Sequence, residues 1–389
     1  MRILMISEAV PYLPCHDGFR LVFASLLREL AKRHEIHLIA VTRGAESEVQ
    51  TAWAREYCRS YVTAQQTAGL PATFRALAGI CEPDLVTKVD DALRTANPEI
   101  IHVEGGAMAS IFRGKPAGIP KVLCIHDTKS LRLRDFAEHS QQTQARIKFQ
   151  TLFRLARLHE RRWYRYADKV VVISQPDADA LVGAIPAGRV TVIPGGVDLD
   201  RIAFRPAPEA GRIVLTGNMS WAPNEDAAEH FACDVFPKIR ARVPDASFWI
   251  VGADPSARLR LLERTPGVHV TGTVPDLCPW LWSAAAYVSP IRFGRGVKIK
   301  ILEAMAAGAP IVATSRSLSG TELIDGVDAL IADDDSAFAD AVVRLLGDPA
   351  LRTAISREAR KKVEREFSWP SIAAQFEGLY TEMLGRVVS

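Results

Sequence analysis

The feature that most constrains the fold is an alternation of short apolar runs with segments whose apolar residues recur at helical spacing. Such runs predict strands covered on both faces, and their alternation with helices predicts a parallel sheet with right-handed crossovers. The strands predicted in the first half of the chain are residues 3–6, 36–41, 99–103, 121–125 and 169–173.

The same alternation restarts after residues 199–211, a stretch that contains three Pro or Gly residues, has little periodicity and is typical of a linker. The strands predicted beyond it are residues 213–216, 248–251, 268–271, 287–290 and 311–313. We therefore expect an α/β protein with two Rossmann-like, doubly wound domains, residues 1–205 and 206–369. Ligands of such sheets bind at the carboxyl ends of the strands, so both domains are expected to face one cleft.

The composition is that of a globular protein, because 48% of the 389 residues are hydrophobic, 24% are charged and the net charge is only +3. A charge this small gives no general attraction to nucleic acid. The six cysteines are far apart and include no CxxC pair, which argues against a zinc ribbon and is typical of a reducing compartment. The apolar runs are too short for a signal peptide or a membrane span, so we expect a cytoplasmic protein.

The clearest chemical signal is the stretch 290–312, which reads as strand, glycine-rich loop, helix, turn and strand. Gly294 and Gly296 allow a ligand to approach the backbone closely. They precede a helix predicted at 298–307, whose free N–H groups at the N-terminus can bind phosphate oxygens.

Charged residues at the start of this helix point to the same ligand. Arg295, Lys298 and Lys300 cluster there, and cations at a helix N-terminus oppose the macrodipole unless an anion neutralises them. Glu303 shares a helix face with Lys300 and can accept hydrogen bonds from ribose hydroxyls. The alternative is a solvated Lys–Glu pair, but next to two glycines the pattern favours a nucleoside diphosphate site.

Further motifs follow one another along nearly the whole chain. They are Lys169-Val-Val-Val-Ile-Ser174, Ile193-Pro-Gly-Gly-Val-Asp198, Thr216-Gly-Asn-Met-Ser-Trp-Ala-Pro-Asn224, Thr271-Gly-Thr-Val274, Lys300-Ile-Leu-Glu-Ala-Met-Ala306 and Phe367-Ser-Trp369. In this order and spacing they resemble the retaining glycosyltransferases of the GT-B fold, in the family-4 group of bacterial sugar transferases. The resemblance implies two facing Rossmann-like domains and a helix at 370–389 that crosses back to the first.

The resemblance also implies roles for matched positions. Glu303 matches the second glutamate of the family's E-x7-E motif, which binds the nucleotide ribose, whereas the first would fall on Arg295, a departure that affects contacts with the donor sugar. The Arg and Lys that many members carry near 217–219 are absent, so Lys300 with Arg295 or Lys298 is expected to neutralise the diphosphate. The expected donor-binding residues are Gly18, Gly217, Asn218, Val274, Arg295, Gly296, Val297, Lys298, Lys300 and Glu303.

In the first domain, His126 resembles the histidine that hydrogen-bonds the donor sugar near the reacting carbon. Together with Asp127 and Lys300 it forms the expected catalytic set. Both His126 and Asp127 follow a predicted strand, and Asp127 could instead cap the next turn.

Other polar residues of the first domain are expected on the acceptor side. Asp17 and Gly18 stand where the family usually has a Gly-Gly pair, and Arg20 follows on the same predicted helix. Glu104 lies at another strand end. Asp17 is more typical of a helix N-cap than of a catalytic group.

No metal or other cofactor is expected. Asp333, Asp334 and Asp335 form an acidic triplet, but they follow a predicted strand and precede a helix, which favours a turn and an N-cap. The sequence supplies no convincing set of His and Cys ligands, and GT-B enzymes generally work without a metal. The nucleotide diphosphate sugar is therefore expected as donor substrate.

The segment from Arg146 to Lys169 carries eight basic and two acidic residues, with five aromatic residues interleaved. A basic helix with aromatics can lie on an anionic membrane surface. The alternative, slightly favoured by the pattern, is a helix that packs on the sheet and exposes a solvated arginine face. Nucleic-acid binding is not expected from the total charge.

Together these observations predict transfer of a sugar from a nucleotide diphosphate sugar to a hydroxyl of an acceptor sugar, glycolipid or small molecule, with retention at the anomeric carbon. Polysaccharide, glycolipid or natural-product glycoside synthesis is the expected setting. The alternatives are a sugar-nucleotide epimerase of the same architecture, a two-lobed binding protein and an inactive nucleotide-binding homologue.

Overall fold

The computed structural model describes residues 1–15, 17–42, 44, 46–66, 81–140, 142–186, 188–294 and 299–388. The chain forms two compact units, of which the first comprises Met1–Gly195 with Trp369–Ser389 and the second comprises Gly196–Ser368. The second unit begins at Gly196, ahead of the predicted boundary at 206, because Val197 and Ile202 are buried in its core.

A parallel sheet of seven strands organises the first unit, in the order β3-β2-β1-β4-β5-β6-β7. The strands are β1 (Arg2–Ser7), β2 (Glu35–Thr42), β3 (Ser60–Gln65), β4 (Ile100–Glu104), β5 (Lys121–Ile125), β6 (Lys169–Val172) and β7 (Val190–Val192). Five of them overlap the predicted strands.

The two edge strands, β3 and β7, lie outside the prediction. Along β3, exposed residues alternate with partly buried ones, and all three residues of β7 are only half-buried. Edge strands are covered less than central ones, so they lack the continuous apolar run that marks a buried parallel strand.

Helices cover both faces of this sheet. Successive residues of β1 point to opposite faces, so Ile3 and Met5 belong to one buried cluster and Leu4 and Ile6 to another. The last helix of the chain, Trp369–Val388, packs in the first of these clusters. The other helices of this unit are α1 (Gly18–Ala31), α2 (Glu48–Tyr57), α3 (Pro83–Thr95), α4 (Lys129–His139), α5 (Thr143–Trp163) and α6 (Gln175–Ala180), with short 3-10 turns at Gly106–Phe112 and Tyr164–Tyr166.

The second unit contains a parallel sheet of six strands, in the order β10-β9-β8-β11-β12-β13. The strands are β8 (Arg212–Thr216), β9 (Ser247–Val251), β10 (Val268–Gly272), β11 (Ala286–Ser289), β12 (Ile311–Ala313) and β13 (Leu330–Ile331). The chain is thus α/β with two doubly wound parallel sheets, as predicted.

The helix predicted over 225–243 is interrupted in the structure. It runs as two α-helices joined by a π-turn at Phe231–Val235, directly before Pro237, whose ring has no N–H to continue the α-helical ladder. The described helices of the second unit are α7 (Ala222–His230), α8 (Phe236–Arg240), α9 (Ala257–Leu261), α10 (Cys278–Ser283), α11 (Ile299–Ala307), α12 (Asp335–Gly347) and α13 (Pro349–Glu366). The helix Trp369–Val388, which belongs to the first unit, is α14.

Each sheet reverses its strand order beside its first strand. In the first unit this occurs between β1 and β4, and in the second between β8 and β11. In doubly wound sheets, ligands bind outside the carboxyl ends of the strands at such a switch point. The two switch points therefore mark where functional side chains are to be sought.

Candidate functional site

Polar side chains gather at the switch point of the first sheet. Glu104 is the last residue of β4, and His126 directly follows β5. The Nε2 atom of His126 lies 2.8 Å from Oε2 of Glu104. The structure therefore brings together two residues that the sequence placed at separate strand ends.

Glu104 is fully buried, and both of its carboxylate oxygens are engaged by histidines. Its Oε1 lies 2.8 Å from Nε2 of His102, while Oε2 contacts His126. The sequence placed Glu104 on the acceptor side, but a carboxylate with no exposed surface can reach an acceptor only through His126.

Opposite charges hold this pair together. Burial by itself raises the pKa of Glu104, but the imidazoles of His126 and His102 outweigh it and lower the pKa to about 2. Burial by itself lowers the pKa of His126, yet the Glu104 carboxylate outweighs it, so the pKa of His126 is raised above 6.5. With Nε2 bound to Glu104, Nδ1 is the ring nitrogen of His126 that this carboxylate leaves for a ligand.

Glu8 is a site residue that the sequence analysis missed. It directly follows β1, is exposed, and lies against Gly105, where an added Cβ would come within 2.7 Å of the Glu8 Cδ atom. Gly105 also has a positive φ of 114°, so two features of the backbone make room for this carboxylate. The signal was available, because Glu8 follows a buried strand just as His126 does.

The start of α1 lies beside His126. Asp17 caps the helix by accepting a hydrogen bond of 2.9 Å from the backbone N–H of Arg20, which confirms the N-cap prediction. Gly18 is the first helical residue, and the ring of Phe19 lies 4.8 Å from the His126 ring, centroid to centroid.

Asp127 forms an ion pair with Arg132, which lies on the following helix, α4. The N-cap position of α4 is Thr128, so the contact that the structure shows for the Asp127 carboxylate is this side-chain ion pair and not a cap. Its catalytic assignment stays a prediction.

At the switch point of the second sheet, Gly217 and Asn218 directly follow β8 and lie beside the N-terminal part of α7. Asn224 on that helix donates a hydrogen bond of 2.8 Å to the Asn218 carbonyl and accepts one of 2.7 Å from Nζ of Lys300. A Cβ at Gly217 would lie 2.7 Å from Nδ2 of Asn224. The structure thus brings Gly217, Asn218 and Lys300 together, with Asn224 as an additional member.

Glu303 lies one turn after Lys300 on α11 and is almost fully buried. Its Oε1 lies 3.0 Å from Nη2 of Arg201, whose side chain is 57% exposed. Burial raises the pKa of Glu303, and the Arg201 guanidinium partly offsets this. Arg201 comes from the predicted linker, more than ninety residues away in the sequence, so no local pattern could identify it.

The structure describes two further residues of the predicted nucleotide site, Val274 and Gly294. Val274 follows β10 and packs partly buried against the core. Gly294 has a φ of 82°, and a Cβ there would lie 2.7 Å from Cγ of Pro223. Arg295, Gly296, Val297 and Lys298 lie outside the described residues.

The acidic triplet serves local structure. Asp333 accepts hydrogen bonds from the backbone N–H and the hydroxyl of Ser315, Asp334 caps α12, and Asp335 pairs with His230. The turn and N-cap predicted there are present.

A buried group of metal-ligand type lies elsewhere among the described residues. It consists of His102, Glu104 and Cys124, whose ligand atoms lie within 4.8 Å of one another. Both nitrogens of His102 and both oxygens of Glu104 already have hydrogen-bond partners. A metal would have to displace these partners, so the group is accounted for as a hydrogen-bonded network.

The basic segment forms most of α5. Ala156, His159 and Trp163 are buried against the first unit, and the opposite face is exposed. Along that face, residues at spacings of three or four are Ile147, Thr151, Arg154, Leu158 and Arg161, and the exposed Arg165 follows in the 3-10 turn after the helix. None of the described helices is both long enough and apolar enough to cross a bilayer.

Two protein-family models match the sequence, each over a different part of the chain. The profile described as "Glycosyltransferase Family 4" matches residues 17–201, and that described as "Glycosyl transferases group 1" matches residues 210–348. The two matches divide the chain as the two sheets do. With its fold and its two strand-end sites, the chain belongs to the GT-B glycosyltransferases, which confirms the resemblance drawn from the motifs.

Curated relatives and solved structures agree with this assignment. A phosphatidyl-myo-inositol mannosyltransferase of Mycolicibacterium smegmatis is 31% identical over 203 residues, 50% of this chain and 52% of the relative. A glycogen synthase of Mycobacterium tuberculosis is 25% identical over 305 residues, 74% of this chain and 69% of the relative. The alignment thus spans about half the length of the mannosyltransferase.

Two solved structures share the fold over nearly the whole chain. The sucrose-phosphate synthase of Thermosynechococcus elongatus superposes with a TM-score of 0.74 at 19% identity, over 99% of this chain and 100% of that one. Anabaena HepE in complex with UDP gives 0.68 at 17% identity, over 98% and 100%. At these identities the likeness establishes the fold alone.

Proposed function

We propose that this protein transfers a glycosyl group from a nucleoside diphosphate sugar to an acceptor hydroxyl, with retention at the anomeric carbon. The observation that carries the proposal is the arrangement at the second switch point. There the Lys300 ammonium group contacts Asn224 beside the glycine-containing strand end, and the buried carboxylate of Glu303 follows three residues later on the same helix. A nucleotide has two polar parts, the phosphates and the ribose hydroxyls. Lys300 offers a cation for the phosphates, and Glu303, one turn later, offers a hydrogen-bond acceptor for the hydroxyls.

Each described residue has a distinct part in donor binding. Lys300 neutralises charge on the diphosphate, and the backbone at Gly217 and Asn218 allows close approach. Glu303 accepts hydrogen bonds from the ribose, and Val274 contacts the base through its backbone. Arg295 or Lys298, from the cationic cluster that begins the helix, adds positive charge, and no metal ion is required.

His126 supplies the sugar-binding group of the first unit. As an imidazolium it donates from Nδ1 to a hydroxyl of the transferred sugar. In a front-face substitution, the bond from the anomeric carbon to the diphosphate oxygen breaks on the face where the acceptor oxygen attaches. The leaving diphosphate takes the acceptor proton. The protein contributes positioning and charge stabilisation, and Glu8 is placed to bind the acceptor beside His126.

The names of similar proteins support one class of donor and two classes of acceptor. Solved structures of the same fold contain UDP and UDP-glucose, which supports a nucleotide sugar donor. The mannosyltransferase relative is named for a phosphatidylinositol, which supports a lipid or sugar acceptor. We further propose that the protein acts in the cytoplasm, and that the exposed face of α5 holds it at an anionic membrane surface.

Substitution of the two α11 residues tests the site. Lys300→Ala or Glu303→Ala is expected to lower transfer about tenfold or more, or about 1.4 kcal/mol of transition-state stabilisation. The measurement is acceptor-dependent release of free nucleotide, which an epimerase does not produce. The donor is first found by a thermal-shift screen of UDP, GDP, dTDP and ADP with their sugars, because a ligand raises the melting temperature by mass action.

The control is Lys361→Ala, which removes an exposed lysine of the same unit that pairs with Glu358. Full transfer by both α11 variants, with the control equally active, would show that the nucleotide binds elsewhere.

A further inference from the structure

A chain of buried hydrogen bonds joins the last helix of the protein to His126. The hydroxyl of Tyr380, on α14, lies 2.5 Å from Nδ1 of His102. Nε2 of His102 then contacts Glu104 at 2.8 Å, and Glu104 contacts His126 at 2.8 Å. Tyr380, His102 and Glu104 have no exposed surface, so bulk water does not compete for the two links among these three residues.

The chemistry of the groups fixes the direction of each bond. Ionised Glu104 can only accept, so Nε2–H of His102 and Nε2–H of His126 both donate to it. A neutral His102 then accepts at Nδ1 from the Tyr380 hydroxyl, and burial raises the pKa of Tyr380 well above its ordinary value, so this hydroxyl keeps the proton that it donates. One tautomer of His102 is consistent with all three bonds.

We propose that Tyr380 and His102 are positioning residues that act through Glu104 to hold His126 in the orientation that the glycosyl transfer requires. The proposal rests on the function proposed above for His126. It extends that function to two buried residues, one of which belongs to the helix that completes the first unit.

A purely structural explanation is less consistent with the surroundings. Tyr380 and His102 pack against Phe376 in an apolar cluster, where residues without polar atoms would fill the same space without a buried network that has to be satisfied. Among the described residues the network runs from His102 to Glu104, which contacts His126 and lies beside the buried thiol of Cys124. The described groups near His126 also include Glu8, Asp127 and the ring of Phe19. The partner recorded at Nδ1 of His102 is the hydroxyl of Tyr380.

The test uses the full chain and two matched variants. Tyr380→Phe removes only the hydroxyl, whereas Phe376→Leu disturbs the same packing and leaves every hydrogen bond of the network in place. Side-chain nitrogen NMR of histidine-labelled protein reports the tautomers without any substrate. The signals of His102 and His126 are identified by their loss in His102→Asn and His126→Gln.

In Tyr380→Phe we expect the Nδ1 signal of His102 to shift, because this nitrogen loses its donor while Nε2 keeps its proton against Glu104, and we expect the ring signals of His126 to change with it. Phe376→Leu should leave both histidines as in the wild type. An unchanged His102 signal in Tyr380→Phe would overturn the proposal. Because this readout needs no donor or acceptor, it stands even if the proposed transfer reaction is not found.

Transfer kinetics then test the link to function. Tyr380→Phe is expected to lower kcat about fivefold, as loss of one neutral hydrogen bond would, with little change in KM. In a His126→Gln background the same substitution should have no further effect. A further fivefold loss in that background, or an equal loss of kcat in Phe376→Leu, would assign Tyr380 a structural role only.

Discussion

At the scale of single residues, the site depends on partners that lie far away in the sequence. Glu303 is held by Arg201, Lys300 by Asn224, and His126 by Glu104. The sequence identified one member of each of the first two pairs. It offered both members of the third separately, because each follows a buried strand. A sequence pattern does not show how distant elements are aligned in the fold, and this alignment brings such residues together.

The Arg201–Glu303 pair leads to a prediction about nucleotide affinity. Burial already raises the pKa of Glu303, so Arg201→Ala should raise it further and leave a larger fraction of the carboxyl protonated at a given pH. A protonated carboxyl accepts ribose hydrogen bonds less well. We expect calorimetry to show about tenfold weaker nucleotide binding that recovers as the pH rises.

The control for this prediction is Arg242→Ala, which removes an exposed arginine of the same unit. Equal loss of affinity at all pH values in Arg201→Ala would mean that Arg201 contacts the nucleotide itself rather than adjusting Glu303.

The Glu104–His126 pair leads to a prediction about stability. The pKa of Glu104 is about 2 in the folded protein, against 4.5 when unperturbed, so its contribution is present above about pH 4.5 and is lost as the pH falls toward 2. The pKa of His126 is raised above 6.5, so its contribution is present below 6.5 and is lost as the pH rises through the folded value. The pair therefore stabilises the first unit most between these limits.

Thermal unfolding at a series of pH values checks this window. Glu104→Gln should lower the melting temperature most near pH 5 to 6, and the difference from the wild type should shrink toward pH 3. Glu138→Gln serves as the control, because it removes a carboxylate of the same unit that is 60% exposed. A deficit in Glu104→Gln that is independent of pH would contradict the ion-pair assignment.

At the scale of elements, the sequence predicted the strands that are continuous and buried. It missed the edge strands and the interruption of one helix. Central strands such as β1 carry unbroken apolar runs, whereas edge strand β3 does not. The π-turn before Pro237 was read as part of one helix, since a turn of this kind keeps the apolar spacing on both sides. The nucleotide loop predicted from its glycines stays a prediction, because residues 295–298 lie outside the described part of the chain.

Helix α5 leads to a prediction about membrane binding. Ile147 and Leu158, 57% and 59% exposed, lie among arginines on one face, and such a face binds anionic lipid by charge and by apolar insertion. Flotation with phosphatidylserine liposomes is expected for the wild type. It should be lost when Arg154, Arg161, Arg162 and Arg165 are changed to Gln.

A variant with the same change of total charge provides the comparison. Arg242, Arg258, Arg264 and Arg365, all exposed in the second unit, are changed to Gln instead. If both variants float equally well, or neither does, α5 is not the binding element.

At the scale of the whole molecule, the last helix has a consequence for the order in which the protein forms. Seven buried residues of α14, from Trp369 to Met383, complete the core of a sheet whose strands end at Val192. During synthesis, β1 leaves the ribosome first, but the helix that closes its core leaves after every strand of the second unit. Contacts of such long sequence separation form slowly. The second unit can therefore fold while the first still exposes an apolar sheet face, which makes the first unit the more aggregation-prone part of the nascent chain.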